Sequence, residues 1–524
     1  MKKGFTLIEL LAVILILGII ALIAIPTVNN ILKESRRGAF QSTLTNLEKA
    51  IEEKCTTEQI KNQEITTMYT ITNGVISPSL DIKGSLPDGV IHVSKNCEVS
   101  YTLSDNNFTG TKEVGGEVVI GEKGNTITVY KEAILNGTDP VLSTNLIPVT
   151  IKDDGTVTKA DINSKWYSYA EKKWANAVIL TPSGKIESDG TILESSIESY
   201  FVWIPRYKYK LFDMGRYNGS SGDTQLILEP KTIEIVFENK ETPVSVGTEV
   251  GEYHSHPAFQ AFDSNGFWMG KFETTGTNSN IQIKPNNKSL VGIEFKQMIE
   301  YGYNYKREND SHMMKNTEWG AASYLSVSKY GINNKININN NENQLTGYSS
   351  APGVDQSNYP GVYGTTSDKT LPYNTTTGYK ASTTGNITGV YDMSGGTYEF
   401  TAAYLKNYYT SIGFTEDPES IYGEKYFDKY TGETYNAKIL GDATGEMGPF
   451  YQYKDDDESI RYHNSWWANN SGFINNIYPC FVRGGLFING FHASQNTFFA
   501  HKGNDFNQSW DDKKYYTFRI ILTN

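Results

Sequence analysis

Cysteine is nearly absent from this chain. Three residues in 524 exclude a disulfide-dense scaffold and any Cys₄ zinc site. Basic residues fall short of acidic ones, 47 against 59, for a net charge of -12. A basic stripe gripping nucleic acid is therefore excluded as the main theme. Charged residues reach only 20% while aromatics reach 13%, including 35 Tyr, which excludes a wholly disordered chain. Proline is scarce, with 17 residues. No Gly-Lys-Ser phosphate cradle, no exact repeat and no defensible Ser-His-Asp order is present. What is abundant is Gly, Asn, Ser, Thr and Tyr, a mix that suits a loop-rich, strand-rich extracellular protein. The length leaves room for three or so domains.

The one long apolar run is at the start. Phe5 to Ile25 is interrupted only by Thr6 and Glu9 among polar residues. It spans about 31 Å as a helix, enough to cross a bilayer. Lys2 and Lys3 precede it, so the N-terminus should stay cytoplasmic and the rest should be exported. A cleaved secretory signal would place its small residue after the apolar run; here Gly4 comes before it. A plain signal-anchor leaves Glu9 unexplained, because a carboxylate at mid-membrane costs about 2.5–3.5 kcal/mol. The stretch Gly4-Phe5-Thr6-Leu7-Ile8-Glu9 followed by this run closely resembles the type IV pilin and pseudopilin signature. The resemblance implies cleavage between Gly4 and Phe5 by a prepilin peptidase and N-methylation of Phe5. It also implies pairing of Glu9 with the Phe5 amine of a neighbouring subunit. Pro26 stands where pilin helices often kink, since proline removes a backbone donor.

Apolar residues recur at three- and four-residue spacing from Val28 through Phe40, Leu44, Leu47 and Ile51, which predicts an amphipathic helix to about Lys54. Counted from residue 5, the helix would be about 75 Å long. Val90–Val93, Val99–Leu103 and Glu117–Ile120 read as short strands that could cover its stripe. Cys55 and Cys97 are candidates for a disulfide; the alternative is two unpaired buried thiols. Turn clusters near Asn136 and Asp153 mark a change of texture.

Further on, Tyr200–Arg206 and Gly266–Glu273 read as aromatic strands, and Asn316 as the cap of a helix. Tyr391-Asp392-Met393-Ser394-Gly395-Gly396-Thr397-Tyr398-Glu399-Phe400, then Arg483-Gly484-Gly485, then Thr517-Phe518-Arg519 follow in order. Together these resemble the formylglycine-generating-enzyme (sulfatase-modifying-factor) family, which implies a C-type-lectin-like fold over roughly residues 195–524. Gly396 stands where that family has Asn, Tyr398 and Phe400 where it has Trp, and Thr517 where it has Gly. The family's activity needs a reactive Cys pair near the end of the domain; here Cys480 stands alone. Glu399 and Arg483 read as a buried pair tying loops together. His254 and His256 form a close pair, read as incidental in a loop rather than as metal ligands. Trp466, Trp467 and Trp510 are candidate stacking surfaces for sugars or aromatic side chains, with burial in a core as the alternative. The run Asp455-Asp456-Asp457-Glu458 is a weak candidate for Ca²⁺ and reads first as a solvated loop.

The expectation is an α+β protein: a long N-terminal pilin helix packed on a small antiparallel sheet, followed by a large loop-rich C-type-lectin-like α+β domain. Residues 1–4 would be a prepilin leader and 5–54 the helix, with 5–25 its membrane or filament-core part. Residues 55–135 would be a small β domain, 136–194 a connecting β segment and 195–524 the head. The expected role is a minor or tip-located pilin whose non-catalytic head binds a surface ligand, glycan or protein, without a cofactor beyond the Ca²⁺ candidate. Its partners would be other pilin subunits, a prepilin peptidase and the cytoplasmic membrane before assembly at the cell surface, with no nucleic acid at the head. The alternatives are a pseudopilin-like part of a secretion or DNA-uptake machine, or a membrane-tethered enzyme of the formylglycine-generating type.

Overall fold

The computed structural model describes residues 35–61, 63, 65–82, 84–94, 96–112, 118–122, 136–143, 145–212, 232–333, 336–350, 370–433, 437–444, 451–454, 460–464, 469–488, 493, 496–502 and 512–523. The chain divides into two compact units, Met1–Lys131 and Glu132–Asn524.

In the first unit, residues 35–60 are helical. Phe40, Leu44, Leu47, Ile51 and Cys55 follow one another at steps of four, three, four and four residues, so they form one buried stripe. That stripe packs on a six-stranded antiparallel sheet. The order is Val75–Ser77, Met68–Thr72, Asp88–Val93, Val99–Ser104, Phe108–Lys112 and Val119–Glu122. Along Val99–Ser104 every second residue is buried, so Val99, Tyr101 and Leu103 face the helix stripe within one core. Gly110 sits where the helix comes closest: a Cβ there would lie 2.4 Å from Leu44 Cδ1. Glu48 pairs with Lys112, and Arg37 donates to the Ile120 carbonyl at 3.2 Å, tying the polar flanks of the helix to the sheet.

The second unit is organised by two larger sheets. The first is antiparallel and runs Thr191–Ile192, Val157–Lys159, Ile147–Ile151, Asn176–Leu180, Ile197–Pro205, Gly266–Gly270, Ile520–Leu522 and His312–Met313. Every residue of Ile197–Pro205 and of Gly266–Gly270 is buried, which is why these strands read as apolar runs rather than as alternations. Trp203 and Trp268 pack edge to face at 5.3 Å. Their ring N–H groups donate to the carbonyls of Thr138 (3.0 Å) and Val141 (2.6 Å), so the indoles are buried with their donors satisfied. Residues 136–194 thus supply strands and hydrogen bonds to this core. The second sheet contains Asp428–Tyr430, Tyr398–Leu405, Cys480–Arg483, Phe498–His501, Asn469–Ser471, Ile460–Asn464 and Tyr451–Lys454. Tyr516–Phe518 pairs in parallel with Tyr398–Leu405.

The expected fold class is corrected. Among the described residues the regular structure is mostly sheet, and the helices, residues 35–60, Phe295–Asn304, Asn316–Ser326 and Pro418–Tyr422, are few. Residues 5–34 of the expected long helix lie outside the described residues, so that helix on a small sheet is not shown, and the second unit is built mainly of sheet rather than as an α+β head. Helical periodicity is easy to see because one stripe runs for many turns. Strands of two or three residues carry too few alternations to be counted, so the sequence shows less sheet than the fold holds. The expected cap is also displaced by one position. Lys315 is the N-cap, and its backbone N–H donates to Glu318 Oε2 at 2.8 Å; Asn316 is the first helical residue.

Candidate functional site

Most residues singled out from the sequence lie outside the described residues: Gly4, Phe5, Glu9 and Pro26 at the N-terminus, and Trp466, Trp467, Trp510, Asp455, Asp456, Asp457 and Glu458 in the second unit. Among the described residues no helix is long and apolar enough to cross a membrane.

Cys55 and Cys97 are described and are joined by a disulfide, with Cα atoms 5.5 Å apart. Cys55 ends the buried helix stripe and Cys97 lies in the turn between Asp88–Val93 and Val99–Ser104. The bond therefore staples the helix to the sheet. Closing 42 residues of chain restricts the unfolded state by about 4 kcal/mol. Such bonds are typical of oxidising compartments and rare in the cytoplasm.

The second unit holds a cluster of buried charge. Glu399 is bidentate with Arg519, at 2.9 Å from Nε and 2.5 Å from Nη2, and both side chains are fully buried. Arg519 also donates to the carbonyls of Gly270 (2.8 Å) and Tyr391 (3.0 Å). One guanidinium thus ties three distant stretches of chain. The expected Glu399–Arg483 pair is corrected. The two are register neighbours across adjacent strands, but each side chain is committed to other partners, Glu399 to Arg519 and Arg483 elsewhere. Arg483 donates instead to Asn316 Oδ1 (3.0 Å) and to the carbonyls of Asp442 (2.9 Å) and Ala443 (3.0 Å). Burial pushes its pKa down to about 10.

Glu273 accepts from the Thr397 N–H (2.8 Å), the Thr397 hydroxyl (2.9 Å) and the Ser289 hydroxyl. Burial, and the charges of Asp392 and Glu399 beside it, hold its carboxyl well above the usual range. This geometry explains Gly396: its φ is +68°, and a Cβ there would lie 2.3 Å from Glu273 Oε1. An Asn at that position has no room. Asp392 accepts the Gly347 N–H at 2.9 Å and Asn339 Nδ2 at 2.8 Å. Lys271, also fully buried, donates to Asn176 Oδ1 (2.8 Å) and the carbonyls of Ile387 (2.7 Å) and Gly389 (2.9 Å). Each of these groups is committed to fixed protein partners. The cluster can hold loops in place; it offers no open position to a substrate.

His256 is enclosed by Tyr207, Tyr209, Phe259 and Tyr324, and its Nδ1 accepts the Ala258 N–H at 3.3 Å. Burial holds it well below the ordinary histidine range, so it is a neutral core residue. Among the described residues no three His, Cys, Asp or Glu side chains come together as a metal site. Cys480, the remaining cysteine, is buried and unpaired, and burial pushes its thiol pKa up, away from nucleophilic use.

Sequence reasoning missed Glu273, Asp392, Glu399 and Arg519 as one centre. They come from separate stretches of chain, and their proximity is set by the fold. The charged residue inside an apolar run, as in Gly270-Lys271-Phe272-Glu273, was the available signal.

Residues 1–25 match the prokaryotic N-terminal methylation motif. No curated protein matches the chain. The motif match ends at residue 25 and lends no support to the likeness of residues 195–524 to the formylglycine-generating-enzyme family. What it supports is a type IV pilin-like or pseudopilin-like component of the surface or of a secretion system, processed by a prepilin peptidase and assembling with other pilin subunits.

Proposed function

We propose that the chain is a minor or tip-located subunit of a type IV pilus-like filament, and that its second unit binds a ligand on a host, bacterial or polysaccharide surface. The observation that carries this reading is the methylation motif at residues 1–25 on a chain whose second unit runs from Glu132 to Asn524. A subunit of that bulk is poorly suited to a densely packed filament shaft. A second unit rich in Asn, Tyr, Ser and Gly loops on a rigid base is suited to recognition. Binding rather than catalysis is supported by the lone, buried Cys480 where the oxidase chemistry would need two reactive thiols. On this reading no cofactor is required. Glu9 pairs with the Phe5 amine of a neighbouring subunit, and the membrane holds residues 5–25 before assembly.

Glu9→Ala tests the assembly half. The variant protein should accumulate in the membrane, with the second unit folded, and be missing from sheared filaments; normal incorporation would overturn the assignment. Cells lacking the chain should retain filaments and lose attachment to at least one surface. Loss of secretion or DNA uptake with attachment intact would favour the pseudopilin reading, and sulfatase-type maturation by the purified protein would favour the tethered-enzyme reading.

A further inference from the structure

The second unit carries an open cleft of about 440 Å³ that the buried charge cluster does not use. Four separate stretches meet there: Lys288, residues 342–345, Phe487 and residues 514–515. They are cross-tied by backbone. Ser289 N–H donates to the Gln344 carbonyl at 3.0 Å, Gly292 N–H to that of Lys513 at 2.9 Å, and Phe487 N–H to that of Gly396 at 2.8 Å. The buried Gln344 side chain donates to the Lys514 carbonyl at 2.9 Å. The walls are thus held by the fold rather than by a free loop.

Two features of the lining point to one ligand chemistry. The half-buried rings of Phe487 and Tyr515 stand 6.4 Å apart between centroids and are tilted by 47°, an open V rather than a closed stack. Such ring faces accept the C–H face of a sugar, while the exposed Asn343 offers an amide to its hydroxyls. The second feature is charge. Lys288 and Lys514 are exposed, and neither forms an ion pair among the described residues, in a chain of net charge -12. Lys514 Nζ lies 5.1 Å from the centre of the Tyr515 ring, so cation and aromatic face are presented together. Glu342 is the one carboxylate of the lining, which leaves the cleft net positive. Leu345 is its only aliphatic residue; its apolar surface is otherwise the two rings.

We infer that this cleft binds saccharides that carry a carboxylate, with the lysines taking the acid group and Phe487 and Tyr515 the ring. This rests on the surface-binding reading above and names its ligand class.

The test is calorimetric titration of the full-length protein in detergent micelles. The probes are oligosaccharides of galacturonate and of glucuronate, sialyllactose, the methyl esters of each, and an oligoglutamate peptide. At least one acidic saccharide should bind more tightly than its ester. The double variant Lys288→Gln, Lys514→Gln should weaken that binding by about tenfold and remove its salt dependence. Tyr515→Ala should weaken acid and ester alike. The lysine changes should not move the melting temperature, since Lys288 and Lys514 are exposed, and the half-buried Tyr515 variant is titrated well below its own melting temperature. Absence of binding by every acidic saccharide, tighter binding of oligoglutamate, or unchanged affinity in the double variant would overturn the inference. Attachment assays separate the two levels: wild-type cells that attach without any saccharide binding sink the cleft alone. Wild-type cells that attach to nothing sink the surface-binding reading, while the titration still decides the cleft.

Discussion

The two units solve the same problem with different means. The first has a small core, one helix stripe against one sheet, and adds a covalent staple at Cys55–Cys97. The second has a core running from Leu146 to Leu522 and no disulfide among its described residues. It spends part of that core on buried ions instead. Small cores bury too little apolar surface to be safe alone, so a restricted unfolded state is the cheaper device. A large core can tolerate desolvated charge, provided every group is paired, and gains loops fixed in one arrangement.

The largest expected effect breaks the ionic side of this contrast. Arg519→Ala leaves Glu399 buried and unpaired, which costs about 3–5 kcal/mol. Hydrogen exchange should rise across the strands of the second unit and stay unchanged over residues 35–122. Unchanged protection near Tyr398–Leu405 would show that the pair does not hold the core.

Cys55→Ser breaks the covalent side and should cost about 4 kcal/mol of the first unit's stability. Reductant should reproduce the loss in the wild type, and exchange in the second unit should not respond. Equal loss in both units would contradict the contrast.

Gly110→Val sharpens the account of the small core. The new side chain meets Leu44 and Phe40, and overpacking of this kind costs about 1–3 kcal/mol. Urea denaturation followed at the first unit would read it; a stabilised variant would show slack at the helix–sheet contact.

The smallest effect concerns pH. Burial, and then Lys502, push His501 down to about 4. A histidine neutral when folded contributes stability above its unfolded pKa of about 6.5 that is lost as pH falls toward 4. Glu273 acts in the opposite sense, its raised carboxyl losing stability as pH rises above the ordinary carboxylate range. His501→Phe should therefore flatten the acid side of the second unit's stability curve, and Glu273→Gln should gain on the wild type as pH rises. Parallel curves for wild type and variants would sink these assignments.

Much of the local structure was legible in the sequence. Strands expected at Val90–Val93 and Val99–Leu103 occur as Asp88–Val93 and Val99–Ser104, since apolar–polar alternation is a local signal. The fold class was not legible, because strands such as Thr191–Ile192 and His312–Met313 are too short to show a period. Nor were the long-range pairings. Glu399 had two buried arginines to choose from, at 483 and 519, and only the fold decides that Arg519 is the one it reaches. Of the functional residues, the assembly motif was legible because its chemistry is contiguous. The cleft was not, because Lys288, Phe487 and Tyr515 come from distant stretches of chain.

The most direct test of the central claim is immunogold electron microscopy of whole cells and sheared filaments, with antibody to the second unit. The account predicts label at filament tips or sparsely along them in the wild type, and none on filaments of the Glu9→Ala strain. Label confined to the cell envelope, or dense label along every filament, would contradict a minor or tip-located subunit that presents a binding unit to the outside.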